Sequence, residues 1–461
     1  MAASATEVVA PPRARAGRAG VRARRGLAVG AVVVALAMAV PALTGVDVKA
    51  GTAPPLLGDW AWRVGWSSAV VLALVVLTAW TGLDAALDRL PWRGLLALSW
   101  VTSVAWMVAL ALVDGPSGLG RILDHGTEYL QSARAIDDVG VMLREYVSRI
   151  PLDSVGNWPV HLAGHPPGAV LIFIGLDRVG LGSWQAAGLV VVVVAATVPA
   201  AVATTLDRLG ARRAARQALP FLVIGPAAIL MAVSADAVFA ATGAWAAAAL
   251  AAATAARSAK ARLALAALAG LLFGWCLMES YGLVLLGAVA LAVLLSAGGP
   301  LRARATVAAV ATTAVGVVVA VFAALGFAWW QAYPALQERY WAGIASQRPW
   351  WYWVVGNLAA LVLAAGPMLP AALGAGSPRL TGLFRRRSPE PVAALVAAGL
   401  TMVAVADLSL MSKAEVERVW LPFLPWLLLS AAWLPDRWRR WGLVAQAVAA
   451  LVLQHVIRTV W

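Results

Sequence analysis

Apolar runs of about 17–22 residues, the length that crosses a bilayer as a helix, recur along this whole chain. The first is GLAVGAVVVALAMAVPALT, and one of the last is LVAQAVAALVLQHVI. Inside hydrocarbon every backbone N–H and C=O must be satisfied within the protein, which confines such a chain to packed helices. Composition agrees. Across 461 residues, 62% are hydrophobic and only 13% charged, too few to cover a soluble core of that size. The expected fold class is all-α, a polytopic transmembrane protein of about thirteen helices. They are placed near 27–44, 64–83, 94–113, 184–204, 218–234, 236–256, 263–279, 281–297, 305–328, 354–374, 391–410, 419–434 and 443–460.

The formal charge of +14 does not argue for nucleic acid. Lys and Arg collect in cytoplasmic loops of membrane proteins, and here they do so in alternate loops. With the N-terminus inside, the inner segments include DRLPWRG, DRLGARRAARQ, RSAKAR, GGPLRARA, SPRLTGLFRRRSPE and PDRWRRW. Residues 1–26, with Arg13, Arg15, Arg18, Arg22, Arg24 and Arg25, read as a disordered basic tail before an uncleaved first helix. Residues 27–461 read as one membrane domain, and the single cysteine, Cys276, excludes an intramolecular disulfide.

The same parity sends most carboxylates to the other face. The outer loop 114–182 holds DHGTEYLQSARAIDD and MLREYVSRIPLD, both patterned as amphipathic surface helices. Within it, HLAGHPPGAVL stops and restarts an apolar stretch, as expected where Pro166 and Pro167 open a new helix. That helix, over 168–182, is short and carries Asp177 and Arg178. A full crossing there would put RRAAR outside, so a re-entrant or short helix is expected. Further outer turns present Asp236 in VSADA, Glu279 in CLMESYG and the segment Lys413-Ala-Glu415-Val-Glu417-Arg418.

Each of these residues has a plainer reading. Asp124 and Glu128 suit surface charges, Asp236 suits a helix cap, Glu279 an interfacial charge, and Arg418 a helix-end anchor. Asp137 and Asp138 suit a solvated face or a helix start. His161 and His165 have a spacing that two metal ligands on one helix face share. Gly164 and the two prolines argue against a continuous helix there, and no third ligand stands out, so neither a metal nor another cofactor is expected.

Three motifs together resemble the glycosyltransferase-C superfamily, in particular protein O-mannosyltransferases and related polyprenyl-phosphate-sugar transferases. They are Asp124-His-Gly-Thr-Glu128-Tyr129, then His165-Pro166-Pro167-Gly168, then Glu417-Arg418-Val-Trp-Leu-Pro422-Phe-Leu-Pro425. The family's adjacent Asp-Glu pair is split here by three residues, and Gly168 stands where the family has Leu. The resemblance implies an inverting membrane enzyme that moves a sugar, mannose among the candidates, from a polyprenyl-phosphate donor. The acceptor is a hydroxyl of a carbohydrate, lipid or protein outside the cytoplasm. Glu128 and Asp124 are the candidates for the general base, and four residues apart on a helix they would share a face. The family favours the first acid, while Glu128, beside Tyr129, matches the motif's acid-then-aromatic ending and is taken as the base with Asp124 orienting the acceptor. His165, Arg418 and Lys413 are expected at the donor phosphate, with Asp236, Glu279, Glu417 and Tyr129 supporting the site. A composition rich in Ala, Val, Arg, Gly and Trp points to a high-GC bacterium such as an actinobacterium, and so to its plasma membrane. A transporter or lipid flippase is the competing reading. Against it stand the lack of an evident internal repeat and the clustering of acids at one surface.

Overall fold

The computed structural model describes residues 12–80, 83–383 and 389–459. Most of it is helix, and the chain is an all-α polytopic membrane protein. Among the described residues, seven helices are long and apolar enough to span: Gly17–Thr44, Trp92–Asp114, Trp184–Arg208, Ala235–Ala255, Ala259–Glu279, Leu301–Ala324 and Pro391–Leu408. An eighth candidate is a broken pair, Trp350–Ala365 and Met368–Thr381, bent by 101°.

The remaining apolar runs read from the sequence are shorter or interrupted. The run expected over 218–234 is divided between the helices Arg212–Val223 and Ala227–Met231, because Gly225 and Pro226 intervene. The run over 419–434 becomes a short helix Val416–Val419, then, beyond Pro422, another at Leu424–Leu428 with Pro425 in its first turn, and a 3₁₀ turn at Leu429–Trp433. The last helix, Asp436–Val456, ends before residue 460. Its following residues Ile457–Thr459 pair antiparallel with Gly58–Trp60, with Asp59 opposite Arg458.

The tail also departs from expectation. Residues 1–11 lie outside the described residues, but Pro12–Thr44 is continuous helix, so the basic segment from Pro12 onward is not a disordered tail. The GLAVG stretch explains what holds this helix. A Cβ on Gly26 would lie 2.1 Å from the Pro370 carbonyl oxygen, and one on Gly30 2.6 Å from Pro370 Cγ. Two glycines four apart let the first span press against Met368–Thr381, the small-residue packing common between membrane helices.

At the break in the bent pair, Gly366 has φ 84°, a conformation that favours glycine. Gln446 mends the severed backbone. Its Oε1 accepts from Met368 N at 3.2 Å and its Nε2 donates to Ala365 O at 2.7 Å. One buried amide thus serves a backbone group on each side of the break.

Segments assigned to one face by charge meet one another. Leu57 N donates to Glu417 Oε1 at 2.9 Å, Arg63 pairs with Asp114, and Arg339 donates to Ile150 O and Trp158 O. On the basic side, Arg216 donates to Leu87 O and Leu90 O, and Arg379 lies over the Trp433 ring.

Within the loop 114–182 are short helices at Tyr129–Ala135, Val139–Glu145 and Val160–Gly164. Asp138 caps the second, accepting from Val141 N at 3.0 Å. Pro166 and Pro167 open a helix that runs only from Pro167 to Arg178. Twelve residues rise about 18 Å, short of a hydrocarbon core of roughly 30 Å. Its middle and its C-terminal end stay with the rest of the loop 114–182: Phe173 stacks on Tyr129, and Arg178 donates to Asp137 O.

Candidate active site

Four segments far apart in the chain bring their polar side chains to one buried point on the acidic face. Arg418, on the short helix Val416–Val419, is the hub. Its Nη1 donates to Glu128 Oε1 at 2.9 Å, its Nε lies 3.0 Å from Asp236 Oδ2, and its Nη2 is 3.4 Å from His161 Nε2. All of Glu128, Asp236 and Arg418 are at least 95% buried. Charges this dry must be paired and hydrogen-bonded to be tolerated.

Local structure explains how each arrives. Glu128 is the extended residue just before the helix Tyr129–Ala135. Asp236 lies in the first turn of Ala235–Ala255, but the cap is Ser234, whose hydroxyl accepts from Asp236 N. The Asp236 carboxylate is therefore free of capping duty and turns to Arg418. Ahead of Arg418, Ala414 and Glu415 both take positive φ, 67° and 65°, an unusual pair for residues with a Cβ. Asn357 holds that turn: its Oδ1 accepts from Ala414 N, and its Nδ2 donates to Ser412 O and to Asp407 Oδ1.

The histidines complete the cluster. His161 Nδ1 lies 2.7 Å from Glu128 Oε1. His165 Nδ1 is 2.9 Å from the His161 carbonyl oxygen and 3.0 Å from the Tyr129 hydroxyl, and its Nε2 is 4.0 Å from Asp236 Oδ1. Gly168 follows the prolines because a Cβ there would lie 2.4 Å from the Met278 carbonyl oxygen; the bulkier residue of the resembling motif has no room.

Electrostatics sharpen the roles. Burial alone pushes the Glu128 carboxyl up, but the His161 hydrogen bond and the charge of Arg418 outweigh it and hold Glu128 at about 2. Burial opposes the charge on Arg418, yet Asp236 and then Glu128 hold its guanidinium above the ordinary range. Burial lowers His165, with Asp236 opposing, so its imidazole is neutral at pH 7. Burial also raises Tyr129 well above its usual value and pushes Glu417 to about 7.

Not every candidate joins this point. Asp124 ends a 3₁₀ turn, Arg121–Asp124, and the chain is extended at His125, so no helix carries both Asp124 and Glu128. Its carboxylate pairs with Arg134 at 3.0 Å. Lys413 turns the other way, donating to Arg348 O at 3.1 Å and lying 4.5 Å from the centre of the Trp341 ring. Glu417 accepts from Leu57 N, and Glu279 accepts from Thr242 on the preceding span. His161 is the member the sequence reading did not place in the site; its signal was the four-residue spacing to His165, read there only as a metal pattern. Among the described residues, no three His, Cys, Asp or Glu side chains are grouped as metal ligands would be.

No protein-family model and no curated protein matches this sequence. A solved structure, the crystal structure of ArnT from Cupriavidus metallidurans in the apo state, aligns with a TM-score of 0.45 and 17% identity. The alignment covers 75% of this chain and 62% of that one, and a likeness of this size assigns no activity.

Proposed function

We propose that this chain is an integral membrane glycosyltransferase that moves a sugar from a polyprenyl-phosphate donor to a hydroxyl on the extracytoplasmic side, with inversion. The observation that carries the reading is Arg418, which ties Glu128 and Asp236 into one buried cluster where two histidines also converge. A lipid-linked donor keeps its tail between helices and presents its phosphate near the interface, where this cluster lies among the outer loops. Transfer needs a proton acceptor for the hydroxyl and a cation for the departing phosphate, and the cluster contains candidates for both. Glu128, held as a weak base by Arg418 and His161, serves this reading best as the group that orients them. Mannose as the sugar and a bacterial plasma membrane as the location belong to the same proposal.

The test is direct. Purified protein in lipid vesicles is expected to transfer labelled sugar from a polyprenyl-phosphate-sugar donor to an added acceptor, and failure across a panel of sugars and acceptors removes the reading. The bent pair Trp350–Ala365 and Met368–Thr381 favours a second reading, since discontinuous helices are common in transporters. Movement of the labelled lipid between leaflets without sugar transfer is the result that selects it.

Orientation gives a separate expectation. Reporters inserted at Asp138 and at Ala414 are expected to read extracytoplasmic, and one at Arg257 cytoplasmic. A cytoplasmic signal at Asp138 places the cluster on the wrong side for this donor chemistry.

A further inference from the structure

The cluster holds one side chain whose hydrogen bonds fix both its tautomer and its aim. A backbone carbonyl can only accept, so the 2.9 Å contact of His165 Nδ1 with the His161 carbonyl oxygen places the hydrogen on Nδ1. The Tyr129 oxygen, at 3.0 Å from the same nitrogen, is compatible with that assignment. The neutral ring then carries its lone pair on Nε2, which faces Asp236 Oδ1 across 4.0 Å. His165 is 8% exposed, and its carbonyl oxygen is held by the Tyr146 hydroxyl at 3.0 Å. Other titratable and charged neighbours are Asp236, Arg418, His161 and Tyr129. Phe239 closes one side, its ring centre 5.7 Å from that of His165.

We propose that His165 Nε2 is the proton acceptor for the incoming hydroxyl, with Asp236 stabilising the imidazolium that forms. The step rests on the transferase reading given above. The hydroxyl O–H bond breaks and its proton goes to Nε2, while the oxygen forms a bond to the sugar's anomeric carbon. The bond from that carbon to the phosphate oxygen breaks, and its electron pair leaves with the polyprenyl phosphate. Asp236 faces the imidazolium on one side and Arg418 on the other, so the new positive charge arises beside a carboxylate already in place. Glu128 is the weaker base, because Arg418 and His161 both hold its Oε1 and favour the ionised carboxylate. The ion-paired carboxylate and the neutral imidazole thus divide the work between orientation and proton transfer.

His165→Asn is the informative variant. Its amide nitrogen can keep the bond to the His161 carbonyl, while the Nε2 position is lost. In the wild type, transfer is expected to rise with pH through an acid limb below the ordinary histidine range, because only the neutral ring accepts a proton. In His165→Asn, kcat is expected to fall about 10²–10⁴-fold with KM little changed, and the acid limb to vanish. Wild-type protein that transfers sugar, beside a His165→Asn variant that keeps both rate and acid limb, overturns the proposal while leaving the transferase reading intact. A wild type with no transfer removes both. A readout that needs no variant activity is ¹⁵N NMR of the four histidines, with His165 assigned by its loss in the variant. A neutral Nδ1–H ring at pH 7 is expected. An Nε2–H ring or an imidazolium overturns the assignment whether or not transfer is found.

Discussion

Arg418→Ala is expected to abolish detectable transfer and to weaken the fold at the same time. The guanidinium stands between two carboxylates that are as buried as it is, and among the described residues no other Arg or Lys is paired with either. Removing one partner of a buried ion pair costs about 3–5 kcal/mol, because the remaining charge is left dry and uncompensated. Here two charges are left. Thermal unfolding in detergent measures the first effect, and transfer from the labelled donor measures the second. Arg418→Lys separates them. An ammonium keeps the charge, so much of the stability is expected to return. A point charge cannot fork between Glu128 and Asp236, so transfer is expected to stay at least about 100-fold down. Unchanged melting and unchanged rate in Arg418→Ala refute the hub role altogether.

The second large effect is a contrast between two acids of one motif. Glu128→Gln keeps shape and removes the charge that holds Arg418 and His161, and a loss of roughly 100-fold in kcat is expected from the disordered geometry. Asp124→Asn is expected to stay within about threefold, since a surface pair like Asp124 with Arg134 is worth at most about 1 kcal/mol. Rates measured on both variants, each first checked for wild-type helicity, decide the matter. Equal losses return Asp124 to the chemistry, and no loss in either variant takes the whole motif out of it.

That contrast marks where the sequence was readable and where it was not. The apolar runs showed a polytopic helical membrane protein, and Pro166–Pro167 correctly announced the helix Pro167–Arg178. Alternating loop charge grouped Glu128, Asp236 and Arg418 on one face, and they do meet. The spacing of Asp124 and Glu128 misled because it assumed a shared helix. A 3₁₀ turn ending at Asp124 and an extended His125 separate them, and no residue type there announces that break. Lys413 misled for a similar reason: two successive positive-φ residues, held by Asn357 from another helix, turn Lys413 and Arg418 apart. Tertiary contacts decide such turns, so five residues of sequence separation carry no direction. His161 was legible as half of a pair but not as a partner for Glu128, which comes from a different short helix.

Arg418 is also made late. It lies 290 residues beyond Glu128, and at about 5–20 residues per second a ribosome needs roughly 15–60 s to cover that distance. Through that interval Glu128 and then Asp236 are already in place without the cation that neutralises them. The cluster can close only after the span Pro391–Leu408 and the short helix Val416–Val419 have been made. A chain cut short between residues 408 and 418 keeps all seven spans named above and lacks the cation of the cluster, so synthesis itself withholds the site until the last of those spans has been made.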